Sequence, residues 1–279
     1  MPPATYAILG ATGQTGGSVL QVLASERPDV PVNCLVRSRA KLERMYPDIT
    51  ARQQQSSKLQ VFEGNVSDIP LLTDCIRGTK AVFLCVAKPD NEPHLRIARD
   101  QAEAVVAALD ALRTEQQKHQ QQGAGEKPDG TTTATKLPLL VMLSSAETDE
   151  ARLCREIPWA VRRVLYTANW WVYTDLIAAE RYLRDRADWV DAVFIKPGGI
   201  AKDIRRGHVL STETSQTFVS FLDVAGGMVQ CAEESAGRWA GESVSVLSRG
   251  NAKIEWSAPY MLFRNLLCSF VPWLHPWLF

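Results

Sequence analysis

Short apolar runs recur along the chain at residues 5–9, 32–36, 59–63, 81–86, 137–143 and 191–195. Most are apolar throughout rather than alternating, the pattern of strands buried on both faces of a parallel sheet. The stretches between them carry helical spacing. Helices are predicted from about Gln14 to Ser25, from Lys41 to Tyr46, from Asp68, as cap, to about Ile76, from about Pro93 to Leu112, and through Tyr166 to Arg184. In the fourth, Ile97, Ala104, Val105, Ala108 and Leu112 form one face, which packing against a sheet explains. Strands alternating with helices predict an α/β fold, a doubly wound parallel sheet. Residues 47–58 read as a polar connection. Residues 114–136, TEQQKHQQQGAGEKPDGTTTATK, have nothing to bury and predict a flexible loop within the domain.

The first strand runs into Gly10-Ala-Thr-Gly13-Gln-Thr-Gly16, and a helix follows at once. Glycine suits a sharp turn at Gly10, close approach of a pyrophosphate at Gly13, and tight helix-on-strand packing at Gly16. Thr12 and Thr15 add hydroxyls for phosphate, and Gln14 stands at the start of the helix. A glycine triplet alone is weak evidence, but a strand before it and a helix after it supply the required context. The G-x-x-G-x-x-G spacing resembles the short-chain dehydrogenase branch of the Rossmann family. Residues 1–279 are therefore expected to form a single NAD(P)-binding Rossmann-like domain. A small C-terminal substrate-binding lobe and tail would occupy about 201–279.

Arg37 follows the second strand, where an acid would accept a ribose hydroxyl and an arginine would pair a 2′-phosphate, so NADP(H) is favoured over NAD(H). Val86 and Ala87, at the carboxyl edge of the fourth strand, lie where a cofactor would cross the sheet. The resemblance implies three further contacts. Asn65 and Val66 would lie under the adenine, Pro197 and Gly198 against the nicotinamide, and Ser144 or Ser145 at the substrate oxygen. Helix capping is an equal reading of the two serines.

The catalytic Tyr-x-x-x-Lys of short-chain dehydrogenases, whose lysine lowers the tyrosine pKa, is absent, and no lysine occurs between Lys136 and Lys196. With Glu180 matched to the glutamate of atypical members, Val172 and Leu176 take the tyrosine and lysine positions. Tyr166 and Tyr173 are seven apart, on one helical face with Trp170 between them, and could line an aromatic-substrate pocket. Tyr173 and Asp175 remain as proton-handling groups, although packing is the commoner role of such a tyrosine. Lys196, on the sixth strand, could bring its ammonium into the site. Asp68 and Asp223 read as helix caps. His94 and His119 read as remote from the chemistry.

Thirty-one basic and thirty-one acidic residues cancel, so no field favours nucleic acid. The six cysteines form no C-x-x-C pair and read as reduced core residues; no metal site is expected. Without a signal-like start or a span-length apolar run, a cytoplasmic location is expected. At the C-terminus, Trp256 to Phe270 is apolar almost all round, and Trp273, Trp277 and Phe279 follow. This tail could wall the substrate pocket, pair two copies in a homodimer, or lie in a membrane interface. The first two are favoured, because Lys253 and Arg264 are the only basic residues nearby.

Taken together, A-N-W-W-V-Y-T-D-L-I-A-A-E-R-Y-L-R, V-F-I-K-P-G-G-I and F-V-S-F-L-D-V-A-G-G-M resemble the averufin oxidase A group. These are atypical, NmrA-like short-chain dehydrogenase relatives of fungal aromatic polyketide pathways. The resemblance implies NAD(P)-linked oxidoreduction of an anthraquinone- or xanthone-type intermediate. A non-catalytic, NADP-sensing regulator and a cofactor-assisted isomerase or ring-opening enzyme are the alternatives.

Overall fold

The computed structural model describes residues 4–56, 58–123, 136–234, 238–250, 252–253 and 258–279. The chain opens with β1 (Thr5–Leu9), α1 (Gln14–Glu26), β2 (Val32–Val36), α2 (Arg39–Met45), α3 (Pro47–Gln55), β3 (Leu59–Glu63), α4 (Ile69–Ile76) and β4 (Thr79–Leu84). It continues through α5 (Ile97–Gly123), β5 (Leu139–Leu143), α6 (Glu150–Leu153), α7 (Trp159–Ala168), α8 (Trp170–Arg184) and β6 (Ala192–Ile195). The last part holds β7 (Gly199–Ala201), β8 (His208–Ser211), β9 (Phe218–Ser220), α9 (Phe221–Glu233), β10 (Ser243–Ser248), α10 (Ala258–Phe270) and α11 (His275–Leu278).

The main sheet has the order β3-β2-β1-β4-β5-β6-β10-β8, parallel except for the antiparallel edge pair β10–β8. Its inner strands are buried on both faces, and successive side chains enter opposite cores, while the edge strands β3 and β8 are partly exposed. Ile8, Phe83, Val141 and Val193 meet α1 and α9 residues such as Leu20, Leu23, Val224 and Met228. Leu9, Leu84, Met142 and Phe194 meet Leu72 of α4, Leu109 of α5 and Leu183 of α8. The strand order reverses between β1 and β4, and a crevice opens there at the carboxyl ends of the strands.

Three expectations change. The 47–58 segment contains helix α3, its Gln-rich sequence having adequate helix propensity despite little apolar surface. Helix α5 runs on to Gly123, through Thr114 and the Glu and Gln residues expected in the loop, and Arg77 pairs with Glu115 there at 2.5 Å. Residues 124–135 of that expected loop lie outside the described residues. The helix expected through Tyr166 breaks at Asn169, whose backbone (φ −117°, ψ 28°) leaves the helical region between α7 and α8. Much of 201–279 belongs to the sheet itself through β8 and β10. The small β7–β9 pair and α10 stand beside the crevice.

Candidate active site

A cavity of about 550 Å³ occupies the crevice, walled by the residues that follow β1, β4, β5 and β6. Strand register places those ends together. Leu9 pairs with Leu84, Leu84 with Met142, and Leu143 with Ile195. The turn from β1 to α1 forms one wall, with Gly13, Gln14 and Thr15 facing the cavity. Gly10 has φ +90°, which an L side chain rarely adopts, and a Cβ at Gly16 would stand well inside contact distance of the Gly10 carbonyl. Gly13 is different. Its φ is −84°, and a Cβ there would meet only the Gly10 oxygen at 3.2 Å and the Cys85 oxygen at 3.9 Å. Folding alone therefore demands Gly10 and Gly16, while Gly13 leaves room on the cavity side. The α1 N-terminus has no side-chain cap, so its amides are available to an anion. These features fit a dinucleotide.

The opposite wall comes from β5 and α8. Val172, Tyr173, Asp175 and Leu176 line it together with Ser144 and Ser145. Apolar side chains thus stand at both positions matched to the absent dyad. Tyr173 is buried, and its phenol interacts with Ser145 and Asn169. Its ring lies 5.6 Å from that of Tyr166, which stacks edge-on against Trp170 at 5.7 Å. Burial first, and then the Glu147 charge, push the Tyr173 phenol far above its ordinary value, so it is held protonated. Ser145 Oγ donates to Glu147 Oε2 at 2.6 Å.

Lys196 takes a different position from the one expected. It is 2% exposed and does not line the cavity. Its Nζ pairs with Glu180 Oε2 at 2.8 Å and donates to Thr148 Oγ1 at 2.8 Å. Glu180 Oε1 also accepts from Ser144 Oγ at 2.5 Å and from Thr148 Oγ1 at 2.9 Å. The lysine thus secures Glu180, which orients Ser144 toward the cavity. Desolvation lowers the Lys196 pKa against the raising effect of Glu180. Asp175 is likewise committed. It accepts from the amides of Ala98 (2.8 Å) and Arg99 (2.9 Å), closing the first turn of α5 from a different helix. Asp223 accepts from the Arg206 and Gly207 amides and the Ser220 and Ser248 hydroxyls, while Ser220 itself caps α9.

The remaining expected residues surround the same groove. Ala87 and Gly198 line the cavity, and Val86 packs on the Gly10 turn. Pro197 is buried behind it, its carbonyl accepting from the Ala146 amide. Thr12 is partly buried in the turn beside Gly13. Arg37 is exposed at the end of β2. Asn65 is exposed and accepts from the Ser67 amide at 3.3 Å, while Val66 packs toward the α4 and α5 core. Asp68 caps α4 through the Leu71 amide. All six cysteines are buried and unpaired.

Sequence reasoning missed how the site is closed. Buried Asn91 accepts from the Trp171 amide through Oδ1 and donates to the Asn265 carbonyl and the Ser269 hydroxyl. Asn265 donates to Asn169 and to the Pro89 carbonyl. This network ties the segment after β4, the break between α7 and α8, and α10 into one corner, with Met261 of α10 at the cavity wall. Isolated asparagines in three distant stretches carry no local periodicity that could have revealed it.

The fold and the glycine turn define an NAD(P)-binding protein of the short-chain dehydrogenase type. Residues 10–119 match a family model described as NAD(P)H-binding. The chain is 41% identical to oxidoreductase aflX of Aspergillus parasiticus, over 97% of this chain and 93% of that one. It is 42% identical to oxidoreductase stcQ of Emericella nidulans, over 98% and 94%. A solved short-chain dehydrogenase/reductase of Veillonella parvula superposes with a TM-score of 0.60 at 15% identity, covering 91% of this chain and all of its own, a likeness of fold. The chain belongs to the averufin oxidase A-like family of NAD(P)-binding oxidoreductases that these fungal relatives represent.

Proposed function

We propose that this protein is an NADP-dependent oxidoreductase of an aromatic polyketide intermediate of anthraquinone or xanthone type, working without a Tyr-x-x-x-Lys dyad. The observation that carries the reading is the single cavity wall arrangement: an uncapped glycine turn on one side, and Tyr173, Ser144 and Ser145 on the other. Leu95, Ile97, Leu143, Phe218 and Phe221 supply apolar and aromatic surface for a flat polycyclic ligand. Bound nicotinamide supplies hydride exchange. The α1 amides would hold the pyrophosphate, with Thr12, Thr15 and Gln14 beside it, and Ala87, Pro197 and Gly198 would border the nicotinamide end. Asn65 and Val66 would border the adenine. Tyr173 serves as the proton-exchanging hydroxyl at the substrate oxygen, and Ser144, whose own proton goes to Glu180, turns its oxygen lone pairs to the cavity, where they accept from a substrate hydroxyl. Lys196 acts only through Glu180.

Arg37 supports the NADP assignment, because it stands exposed just after β2, with no hydrogen bond or ion pair among the described residues, where a 2′-phosphate would lie. The reading includes a cytoplasmic enzyme with no nucleic-acid partner and a homodimer formed through the apolar C-terminal face. The test is absorbance at 340 nm with a hydroxyanthraquinone and each cofactor. NADP(H)-dependent turnover is expected, and Arg37→Ala should weaken NADPH by about tenfold relative to NADH. Equal loss for both cofactors removes Arg37 from this role. Tight NADPH binding with no turnover of any quinone or hydroquinone favours the sensing regulator.

A further inference from the structure

The β7–β9 ribbon supplies one wall of the cavity. Ile200 and Ala201 line it from β7, Lys202 just after β7, Phe218 from β9 and Phe221 from the first residue of α9. The two strands of the ribbon approach closely. Gly199 pairs with Phe218, and a Cβ on Gly199 would stand 2.6 Å from the Thr217 carbonyl oxygen and 2.9 Å from the Phe218 ring. A Cβ on Gly198 would collide with the Gln216 carbonyl oxygen. Glycine lets the strands meet at this separation, so the pairing of Ala201 with Ser220, which sets where Lys202 emerges, has little freedom to slip. The ribbon is also tied to β10, where Gln216 Oε1 accepts from the Ser248 amide at 2.7 Å.

Two cations stand among the residues that line the cavity, and one is already satisfied. Lys88 Nζ pairs with Glu92 at 2.5 Å and lies 4.0 Å from Asp90. Lys202 is exposed at the cavity and makes no hydrogen bond or ion pair among the described residues. The acids nearest to it in the chain and on the lining are engaged elsewhere. Its neighbour Asp203 accepts from Arg206 Nη1 at 2.8 Å and from the Ile204 and Lys253 amides, each at 2.7 Å. Asp175, the carboxylate on the lining, closes the first turn of α5. An ammonium held at an aromatic wall with no protein carboxylate paired to it fits an anionic oxygen brought by a ligand.

We infer that Lys202 is a specificity-determining residue that pairs with an anionic oxygen on the edge of a flat aromatic substrate whose rings lie against Phe218 and Phe221. The inference rests on the aromatic-substrate reading above and adds the substrate's charge to it. Recognition is then divided between two kinds of contact. Phe218 and Phe221 give ring contact, which a neutral and an anionic polycycle share, whereas Lys202 separates the two. With Ser144 accepting from a hydroxyl, Lys202 is a second polar anchor, and two anchors orient a planar molecule that ring contact alone leaves free to rotate. Because the ammonium reaches water, the discrimination is modest, about fivefold, and is screened by salt.

The test uses the full chain with NADP+ and two probes of nearly equal shape, anthraquinone-2-carboxylate and anthraquinone-2-carboxamide, with binding read by quenching of tryptophan fluorescence. The wild type should bind the carboxylate about fivefold more tightly at low salt, and about 1 M sodium chloride should remove most of that preference. Lys202→Ala should bring the two probes within about twofold of each other by weakening the carboxylate alone. Lys202→Arg should keep the preference and Lys202→Glu should reverse it. Melting temperatures should match the wild type, since the side chain is exposed and unpaired, and NADPH affinity should stay within about twofold. A wild type that binds both probes equally overturns the inference, as does a preference that survives Lys202→Ala. A loss of NADPH affinity equal to the loss of the carboxylate assigns the lysine to a cofactor phosphate and overturns it too. If no quinone or hydroquinone is turned over but the preference follows Lys202, the oxidoreductase reading fails and the inference stands. Turnover of hydroxyanthraquinones with a preference unmoved by Lys202→Ala has the opposite meaning. Binding of neither probe sinks both.

Discussion

Gly13 separates what the fold needs from what a ligand needs. Its φ is ordinary, and a Cβ would press only modestly on the Gly10 oxygen at 3.2 Å, so a larger side chain would point into the cavity. Gly13→Val should therefore keep the circular dichroism spectrum and abolish NADPH binding in a fluorescence titration; retained affinity would remove the turn from the cofactor site. This turn was legible in the sequence because each glycine answers a local backbone demand. Lys196 was not. Its position just after β6 pointed correctly to the end of the sheet, but the direction of its ammonium depends on Glu180, sixteen positions earlier and on another element. A buried lysine that has such a partner stays with it, since desolvation makes any unpaired position in the same volume worse. Asp175 was misread for the same reason. Its carboxylate looked available for proton transfer until the α5 amides, 76 and 77 positions away, appeared beside it.

Helix α5 begins without a side chain of its own to close its first turn, and α8 provides the cap. This joins the two longest helices on one face of the sheet and fixes the cavity wall that both contribute. Asp175→Ala should lower stability by about 1–3 kcal/mol in urea denaturation, because the Ala98 and Arg99 amides lose their acceptor. The pH dependence has a definite sign. Burial raises the Asp175 pKa above the ordinary carboxylate range, against the lowering effect of the two amides. The folded chain therefore holds this proton to higher pH than the unfolded chain. Stability contributed by the group declines as pH rises from the unfolded value through the folded one, and the Ala variant should lack that slope. A slope identical in both proteins would assign it elsewhere. At the scale of elements, strands and buried helices could be read from their apolar runs. Helix α3 and the far end of α5 could not, because Gln, Glu, Lys and Arg suit a helix and a loop about equally in composition. The break at Asn169 was hidden because helical spacing carries across it. Tyr166 and Tyr173 still meet, though they belong to different helices.

For the whole molecule, the C-terminal segment has two parts with different surroundings. Helix α10 is anchored, with Asn265 and Cys268 buried and Met261 at the cavity. Beyond it the chain folds back on α10, where Arg264 lies 3.8 Å from the Phe279 ring centre and donates to the Leu278 carbonyl. Yet Phe270, Trp273 and Trp277 are 71%, 72% and 84% exposed, and Trp159 of α7, the helix that α10 packs against, is 74% exposed. Met261 of this segment lines the cavity, and these aromatic residues do not. Among the described residues no helix is long and apolar enough to cross a membrane. Exposed aromatic surface of this kind is characteristic of contacts with another macromolecule or an interface. On the homodimer reading, deleting Pro272–Phe279 should convert a dimer to a monomer in sedimentation velocity and improve solubility. NADPH affinity should stay within about twofold, because the glycine turn lies on other elements. A full-length chain that is monomeric at all concentrations, and that alone pellets with phosphatidylcholine vesicles, would replace the second copy by a membrane surface.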